Sequence, residues 1–307
     1  MTDRASPTRI QIVEVGPRDG LQNEHAILPT STKVEYVRRC VAAGISRVEA
    51  TSFVNPERVP QMADAEALLA ELGELPGVSI SALVLNTRGF ERALRAGVRE
   101  VNAVVVASDT FGRRNQGQST EDAIAFYAQL AALAAGESVR ATVTISAAFG
   151  CPFEGEVPVE RVAGIARRLA PTEPAEIVIA DTIGVGVPTQ VAEIVDAVRA
   201  EAPGVPLRLH LHNTRNTGYA NVVAALGKGV STFDASTGGI GGCPFAPKAT
   251  GNIASEDLDY LLERMGYDTG ADLAALAATG EWIAAELGVT APALLGRAGG
   301  FPASKRD

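Results

Sequence analysis

Only three histidines occur in this chain, and two of them, His210 and His212, stand one residue apart in LRLHLHN at 207–213. Leu207, Leu209 and Leu211 alternate there with Arg208, His210 and His212. That is the period of a β-strand, on which residues i and i+2 project from one face. Two neutral imidazoles converging on one point suit a metal ion, and they repel each other when both are protonated. An ordinary strand with two satisfied histidines gives the same pattern, because HxH is short and has many chance matches. The other ligands of a metal site must come from elsewhere in the chain.

Asp19 lies in VGPRDGLQNE, where Pro17 and Gly20 mark a turn after a strand-like segment. It reads either as an ordinary Asp-Gly turn or as an anionic metal ligand. Arg18 beside it either pairs with Glu14 or Glu49 or faces an oxyanion that develops during a reaction. Cys243 sits in TGGIGGCPFAPKATGN, which holds five glycines in sixteen residues. This stretch is a flexible connection with an incidental thiol, or a loop that closes over a site. Asn252 at its end is placed to cap the helix that follows. Asp19, His210, His212 and Asn252 together offer oxygen and nitrogen ligands and no thiolate. That set favours Mg²⁺ or Mn²⁺ over structural zinc and leaves Zn²⁺ open.

Positioning these residues is the task of a regular alternation. IQIVEV, RVEATSF, VSISALVL, VNAVVVAS, VRATVTISAAF, EIVIAD, LRLHLHN and STFDAS read as strands, each followed by a helix-like segment. Eight such units in roughly 250 residues match a closed α/β barrel, the (β/α)8 TIM barrel, in count and length. A doubly wound open sheet is the rival, but no GxGxxG follows the first strand. The expectation is a single catalytic domain over 1–307. The barrel spans about 9–266, and a short helical extension over about 267–307 packs on it. Chemistry in such a barrel sits where strands end. Those ends carry Glu14, Arg18, Asp19, Glu49, Asn86, Ser108, Asp109, Asp181, His210, His212, Asn213 and Asp234. Inward strand positions are expected to be apolar in most of the barrel, so charged groups gathered at one rim call for a compensating cation.

A net charge of −9 argues against nucleic acid or an anionic membrane as partner, though not against an anionic small ligand. Cys40, Cys151 and Cys243 are odd in number and far apart, which fits a reducing, cytoplasmic setting. The polar start MTDRASPTRI does not read as a signal peptide, and no apolar run is long enough to span a bilayer.

VGPRDGLQNE, VEATSFVNPERVPQMAD, ADTIGVG, HLHN and GGIGGCPFAPKATGNIASEDL occur in family order. Together they resemble the 3-hydroxy-3-methylglutaryl-CoA lyase family, from about Ile10 to the region around Trp282. The resemblance implies a metal-dependent (β/α)8 lyase with an acyl-CoA substrate, a divalent cation and a homo-oligomeric assembly, commonly a dimer. It places the metal ligands at Asp19, His210, His212 and Asn252. The substrate-contacting arginine falls at Arg18 and the loop cysteine at Cys243. Glu49 and Asp181 match further active-site residues, and Gln22 and Asn115 match substrate-binding positions. Two departures stand out. Many relatives read Asp-Thr-Tyr-Gly where this chain reads Asn213, Thr214, Arg215 and Asn216, and Asp109 replaces a glutamate.

The implied reaction is a retro-Claisen cleavage of 3-hydroxy-3-methylglutaryl-CoA to acetyl-CoA and acetoacetate, or of a related branched 3-hydroxyacyl-CoA. Asp181, His210 or a water removes the hydroxyl proton, Arg18 faces the thioester enolate oxygen, and Cys243 relays a proton to carbon. Arg113, Arg114 and Lys248 are candidates for the anionic CoA. The rivals are a Claisen synthase on the same scaffold, a metal-dependent hydrolase and a non-catalytic binding barrel. Synthase relatives usually carry a substantial C-terminal regulatory part, and hydrolases generally recruit further histidines.

Overall fold

Alternation along each strand sends one set of side chains outward beneath the helices and the other into the barrel. The computed structural model describes residues 8–242 and 251–302. The first five strands are β1 (Gln11–Glu14), β2 (Arg47–Ser52), β3 (Ser79–Leu83), β4 (Glu100–Val106) and β5 (Arg140–Ser146). A small antiparallel hairpin follows, formed by β6 (Gly150–Cys151) and β7 (Gly155–Glu156). Then come β8 (Ile177–Asp181), β9 (Leu207–Leu211) and β10 (Thr232–Ala235). The eight long strands are all parallel, and β1 pairs with both β2 and β10, which closes the (β/α)8 barrel. All eight expected strands are present.

The connecting helices are α1 (Thr30–Ala42), α2 (Ala65–Leu72), α3 (Thr87–Arg95), α4 (Asp109–Gln116), α5 (Thr120–Gly136), α6 (Val159–Leu169), α7 (Pro188–Glu201), α8 (Gly218–Gly227) and α9 (Ser255–Arg264). Beyond them lie α10 (Leu273–Leu287) and α11 (Leu295–Ala298). Ser119 and Asp122 form a reciprocal capping box that starts α5. The expected Ser/Thr cap of α1 is absent; Pro29 stands there, and Thr30 Oγ1 donates to Asp64 instead. Two elements were not legible: α4, and the hairpin after β5. The extension beyond the barrel is dominated by α10, fifteen residues long, rather than by short helices alone. Among the described residues no helix is long and apolar enough to cross a membrane.

The expectation of an apolar barrel interior fails. Val101, Ala103, Val143, Ile145, Leu207, Leu209 and Leu211 are buried and alternate with polar residues of their strands, as Val105, Ile177 and Ile179 do with the inward Val104, Val106, Val178 and Ala180. They take the parity that faces the helices, so the apolar core lies outside the sheet. The inward parity instead carries Arg47, Glu100, Arg208 and, just before β8, Glu176. Arg47 Nη2 lies 2.5 Å from Glu100 Oε1 and 2.7 Å from Glu176 Oε2, and Arg208 Nε lies 3.1 Å from that same oxygen. Each buried charge is offset by an opposite one, without which it would be strongly destabilising.

Two glycines show how tightly the last βα-loop packs. A Cβ on Gly241 would lie 2.8 Å from Asn252 Nδ2, and one on Gly251 only 2.5 Å from the Gly241 carbonyl oxygen. Both residues have positive φ. These glycines serve close approach as well as flexibility. On the outer side, Glu256 of α9 accepts from Gly238 N through both carboxylate oxygens, each at 3.0 Å. Burial is the main force on its carboxyl and pushes it up to about 8 against those hydrogen bonds.

Two predictions follow from this packing. Gly251→Ala should lower the unfolding free energy in urea by about 3 kcal/mol or more, because a clash adds to the left-handed backbone cost. Gly288→Ala, also at positive φ but with open space around it, should lose only ~1–2 kcal/mol. Equal losses would show that the loop does not pack as described. For Glu256, the folded value lies above the ordinary carboxylate value of 4.5. Its stabilisation is therefore full below pH 4.5 and is lost as pH rises through about 8. Glu256→Gln should flatten the fall of the thermal midpoint between pH 5 and 8; an unchanged slope would contradict the assignment.

Candidate active site

The β1 strand ends in a single π-helical turn, Gly16–Gly20, in which the amides of Arg18, Asp19 and Gly20 all point to the Val15 carbonyl. Such wide turns often mark functional sites. Gly16 is required here, because a Cβ would lie 2.1 Å from Tyr36 Oη. The turn projects Arg18 and Asp19 over the barrel mouth. Arg18 Nε donates to Glu49 Oε2 at 2.5 Å and its Nη1 to Asp19 Oδ1 at 2.8 Å. The guanidinium is thus fixed from two sides.

Across the mouth, His210 on the inner face of β9 and His212, one residue past its end, face the same way, with their Nε2 atoms 3.1 Å apart. Asp19 Oδ2 is 3.8 Å from His210 Nε2. Asp19, His210 and His212 each present one donor atom within 4.8 Å of the others, forming a candidate site for a divalent cation. Asn252 joins them through backbone pairing: residues 251–253 run antiparallel to the end of β9, with an Asn252–His212 bridge. Its helix-capping alternative is not realised, since Ala254 occupies the cap position of α9. Asn252 Nδ2 donates to Asp19 Oδ2 at 2.9 Å and to the Ile240 carbonyl at 3.2 Å, while its Oδ1 is buried without a hydrogen-bond partner. An orphaned amide oxygen beside a carboxylate and two imidazoles fits a cation.

Protonation states fit it too. Burial opposes ionisation of Asp19, but Arg18, His210 and His212 override it and hold the carboxyl at about 2. Burial, then the neighbouring His210, pushes His212 down to about 3. Burial lowers His210, but the hydrogen bond with Asp234 and the charge of Asp19 override it and raise it. Near neutral pH one ligand is therefore anionic, one imidazole is neutral, and the other holds a proton that a cation would displace.

Beneath these groups opens a cavity of about 690 Å³. Its lining includes Arg18, Asp19, His210, His212, Gln22 and Asn115. Gln22 accepts from Ser52 Oγ at 3.2 Å. Glu49 contacts the lining residues Arg18 and, at 3.4 Å, Asn102. Asp181 is not among the lining residues. It pairs in register with Leu211, whereas its neighbour Ala180 pairs with His210 and lines the cavity. Asp181 therefore points outward, and its two oxygens accept from Val185 N and Gly186 N, each at 2.9 Å. Cys243 and Lys248 lie outside the described residues; Gly242, next to Cys243 in sequence, lines the cavity.

Glu14 also turns outward, accepting from Gly16 N, Thr237 N and Ser255 Oγ. Asn86 and Ser108 cap α3 and α4, and Asp109 accepts from Thr120 N. Arg114 stacks on Phe153 with 4.3 Å to the ring centroid, and Arg113 is exposed. Arg215 is exposed and donates to the carbonyls of Ile183 and Gly184, and neither it nor Asn213 lines the cavity. The sequence reading missed Arg58, Asn102, Thr144, Ser146 and Thr182 in the wall. For Thr144 and Ser146 the signal was present, as polar residues alternating with apolar ones in RATVTIS.

Residues 9–283 match the HMGL-like family. The chain is 47% identical over 300 residues to the (R)-citramalyl-CoA lyase of Chloroflexus aurantiacus, covering 94% of this chain and 95% of that one. It is 43% identical to the hydroxymethylglutaryl-CoA lyase of Pseudomonas mevalonii, covering 91% and 93%. A solved HMG-CoA lyase from Acinetobacter baumannii, in complex with coenzyme A and 3-methylmalate, superimposes with a TM-score of 0.91 at 35% identity, over 96% of this chain and 98% of that one. The likeness therefore spans the barrel and the α9–α10 region that packs on it.

The metal prediction is direct. In calorimetric titration with Mn²⁺, the wild type should bind one ion per chain. Asp19→Ala and His212→Ala should each weaken binding by more than the roughly 10–100-fold typical of losing an outer-shell partner. Undiminished affinity in both variants would contradict the site.

Proposed function

The chain belongs to the HMGL-like family of acyl-CoA lyases, and from that premise we propose that it splits 3-hydroxy-3-methylglutaryl-CoA into acetyl-CoA and acetoacetate. The observation that carries this reading is the convergence of Asp19, His210 and His212 beside a clamped Arg18, above a cavity large enough for an acyl chain. Asp19, His210, His212 and Asn252 would hold the cation. A divalent cation bound there supplies Lewis acidity toward the substrate's 3-hydroxyl and carboxylate oxygens.

The protein's own residues do the rest. Arg18, fixed by Glu49 and Asp19, presents its remaining N–H groups to the thioester oxygen, whose charge grows as the C2–C3 bond breaks. No reorganisation is needed at that moment, because the fork is already held. Of the three candidates for removing the hydroxyl proton, Asp181 has both oxygens occupied by amides. His210 is turned toward Asp234 on one side and the cation position on the other. Each amide takes one lone pair of an Asp181 oxygen, so Asp181 stays a candidate acceptor beside His210 and a water. Cys243 is assigned proton delivery to the departing carbon, as a residue adjacent in sequence to the cavity wall. Gln22 and Asn115 are assigned to substrate binding.

A second substrate, (R)-citramalyl-CoA, is favoured by one observation, the 47% identity to the Chloroflexus aurantiacus enzyme. The two thioesters share a tertiary hydroxyl, a methyl group and a terminal carboxylate, and differ by one methylene. A methylene in a pocket separates substrates by about 10–200-fold.

Acetyl-CoA release should be followed with both thioesters in the presence of Mn²⁺ or Mg²⁺ and after chelation. We expect cleavage that depends on the metal, with kcat/KM higher for 3-hydroxy-3-methylglutaryl-CoA. A higher value for (R)-citramalyl-CoA would reverse the substrate assignment, and cleavage of neither would overturn the reading. Arg18→Gln should lower kcat by about a hundredfold or more while the fold is kept.

A further inference from the structure

On the inner face of β9, Arg208 stands two residues before His210, and the buried ion lattice of the barrel ends on that histidine. Arg208 Nη1 lies 3.1 Å from Asp234 Oδ1 as an ion pair without hydrogen-bond geometry, and Asp234 Oδ2 lies 3.1 Å from His210 Nδ1. Strand register sets Asp234 of β10 directly beside His210. All three residues are less than a tenth exposed. A neutral imidazole carries one ring proton. A carboxylate at Nδ1 can only accept, so it draws that proton to Nδ1 and leaves Nε2 as a lone pair facing Asp19 and His212. Arg208 stands beside the other Asp234 oxygen and is itself 3.1 Å from Glu176 Oε2.

We propose that Arg208 and Asp234 are positioning residues for the metal: Arg208 orients Asp234, and Asp234 fixes the ring and tautomer that present His210 Nε2 to the cation. This rests on the metal reading above. A purely architectural lattice would make its members interchangeable. Glu100 belongs to the same lattice at the far end, paired with Arg47 and Arg140 and without contact to His210. It is the internal control.

The test is Mn²⁺ affinity, measured by calorimetry with thermal midpoints recorded in parallel. Asp234→Asn should weaken Mn²⁺ binding by about 10–100-fold. Arg208→Gln should weaken it as well, and should add little further in the Asp234→Asn background, because it acts through that carboxylate. Glu100→Gln should lower the thermal midpoint yet leave Mn²⁺ affinity within about twofold of wild type, since it touches no ligand. Wild-type affinity in Asp234→Asn, or an equal loss in Glu100→Gln, would overturn the proposal while leaving the metal site standing. No Mn²⁺ binding by wild type would remove the metal reading, and the proposal with it. A measurement on unaltered protein stands beside the variants. In ¹⁵N-histidine spectra of the Mg²⁺-loaded wild type, His210 should carry its proton on Nδ1, and a proton on Nε2 would overturn the assignment.

Discussion

Placing Arg208 and His210 on the inner face of one buried strand, and His212 facing the same way one residue past its end, dictates what the neighbouring strands must supply. The interior provides no bulk water, so each polar group needs a partner at fixed geometry. Glu176, just before β8, meets Arg208 from one side, and Asp234 of β10 meets both Arg208 and His210 from the other. Toward the rim, Asp19 completes the set from the turn after β1. The barrel interior is therefore an electrostatic structure, and the apolar core that stabilises the sheet lies outside it, beneath the helices.

The rim inherits its precision from this arrangement. His210 and His212 can converge because β9 is held by parallel partners on both sides. Asn252 reaches them only because Gly241 and Gly251 let two backbone segments pass at distances that no side chain would permit. Arg18 is fixed by Glu49, whose other oxygen lies 3.4 Å from Asn102, so the guanidinium is tied to the cavity wall. The candidate metal site, the Arg18 guanidinium and the ion lattice share partners, and a change in one alters the geometry of the next.

Strand positions and the HxH pair were legible because both depend on local periodicity. The barrel followed from counting strand–helix units, and Asp19 from its place after the first strand. What escaped depends on parity and on distant partners. Asp181 has the parity of Ile177 and Ile179, and its bonds to the amides of Val185 and Gly186 depend on a loop that strand periodicity does not place. Nothing local in the sequence reveals that Arg47 meets Glu100 and Glu176, 53 and 129 residues away. Arg215, a departure from many relatives, is held by two loop carbonyls that the sequence pattern does not indicate. The glycines near Cys243 read as flexibility, whereas Gly241 and Gly251 answer a steric demand that only the folded loop creates.

The central claim is that two imidazoles at the end of β9 and an oxygen-rich rim bind one divalent cation where the substrate is cleaved. Pulsed electron-spin-echo spectroscopy of the Mn²⁺-loaded protein tests it most directly. Modulation from two directly bound imidazole nitrogens, lost in part with His212→Ala, is the predicted result. A Mn²⁺ signal with no nitrogen coupling would contradict the account, because the ion would then sit away from His210 and His212.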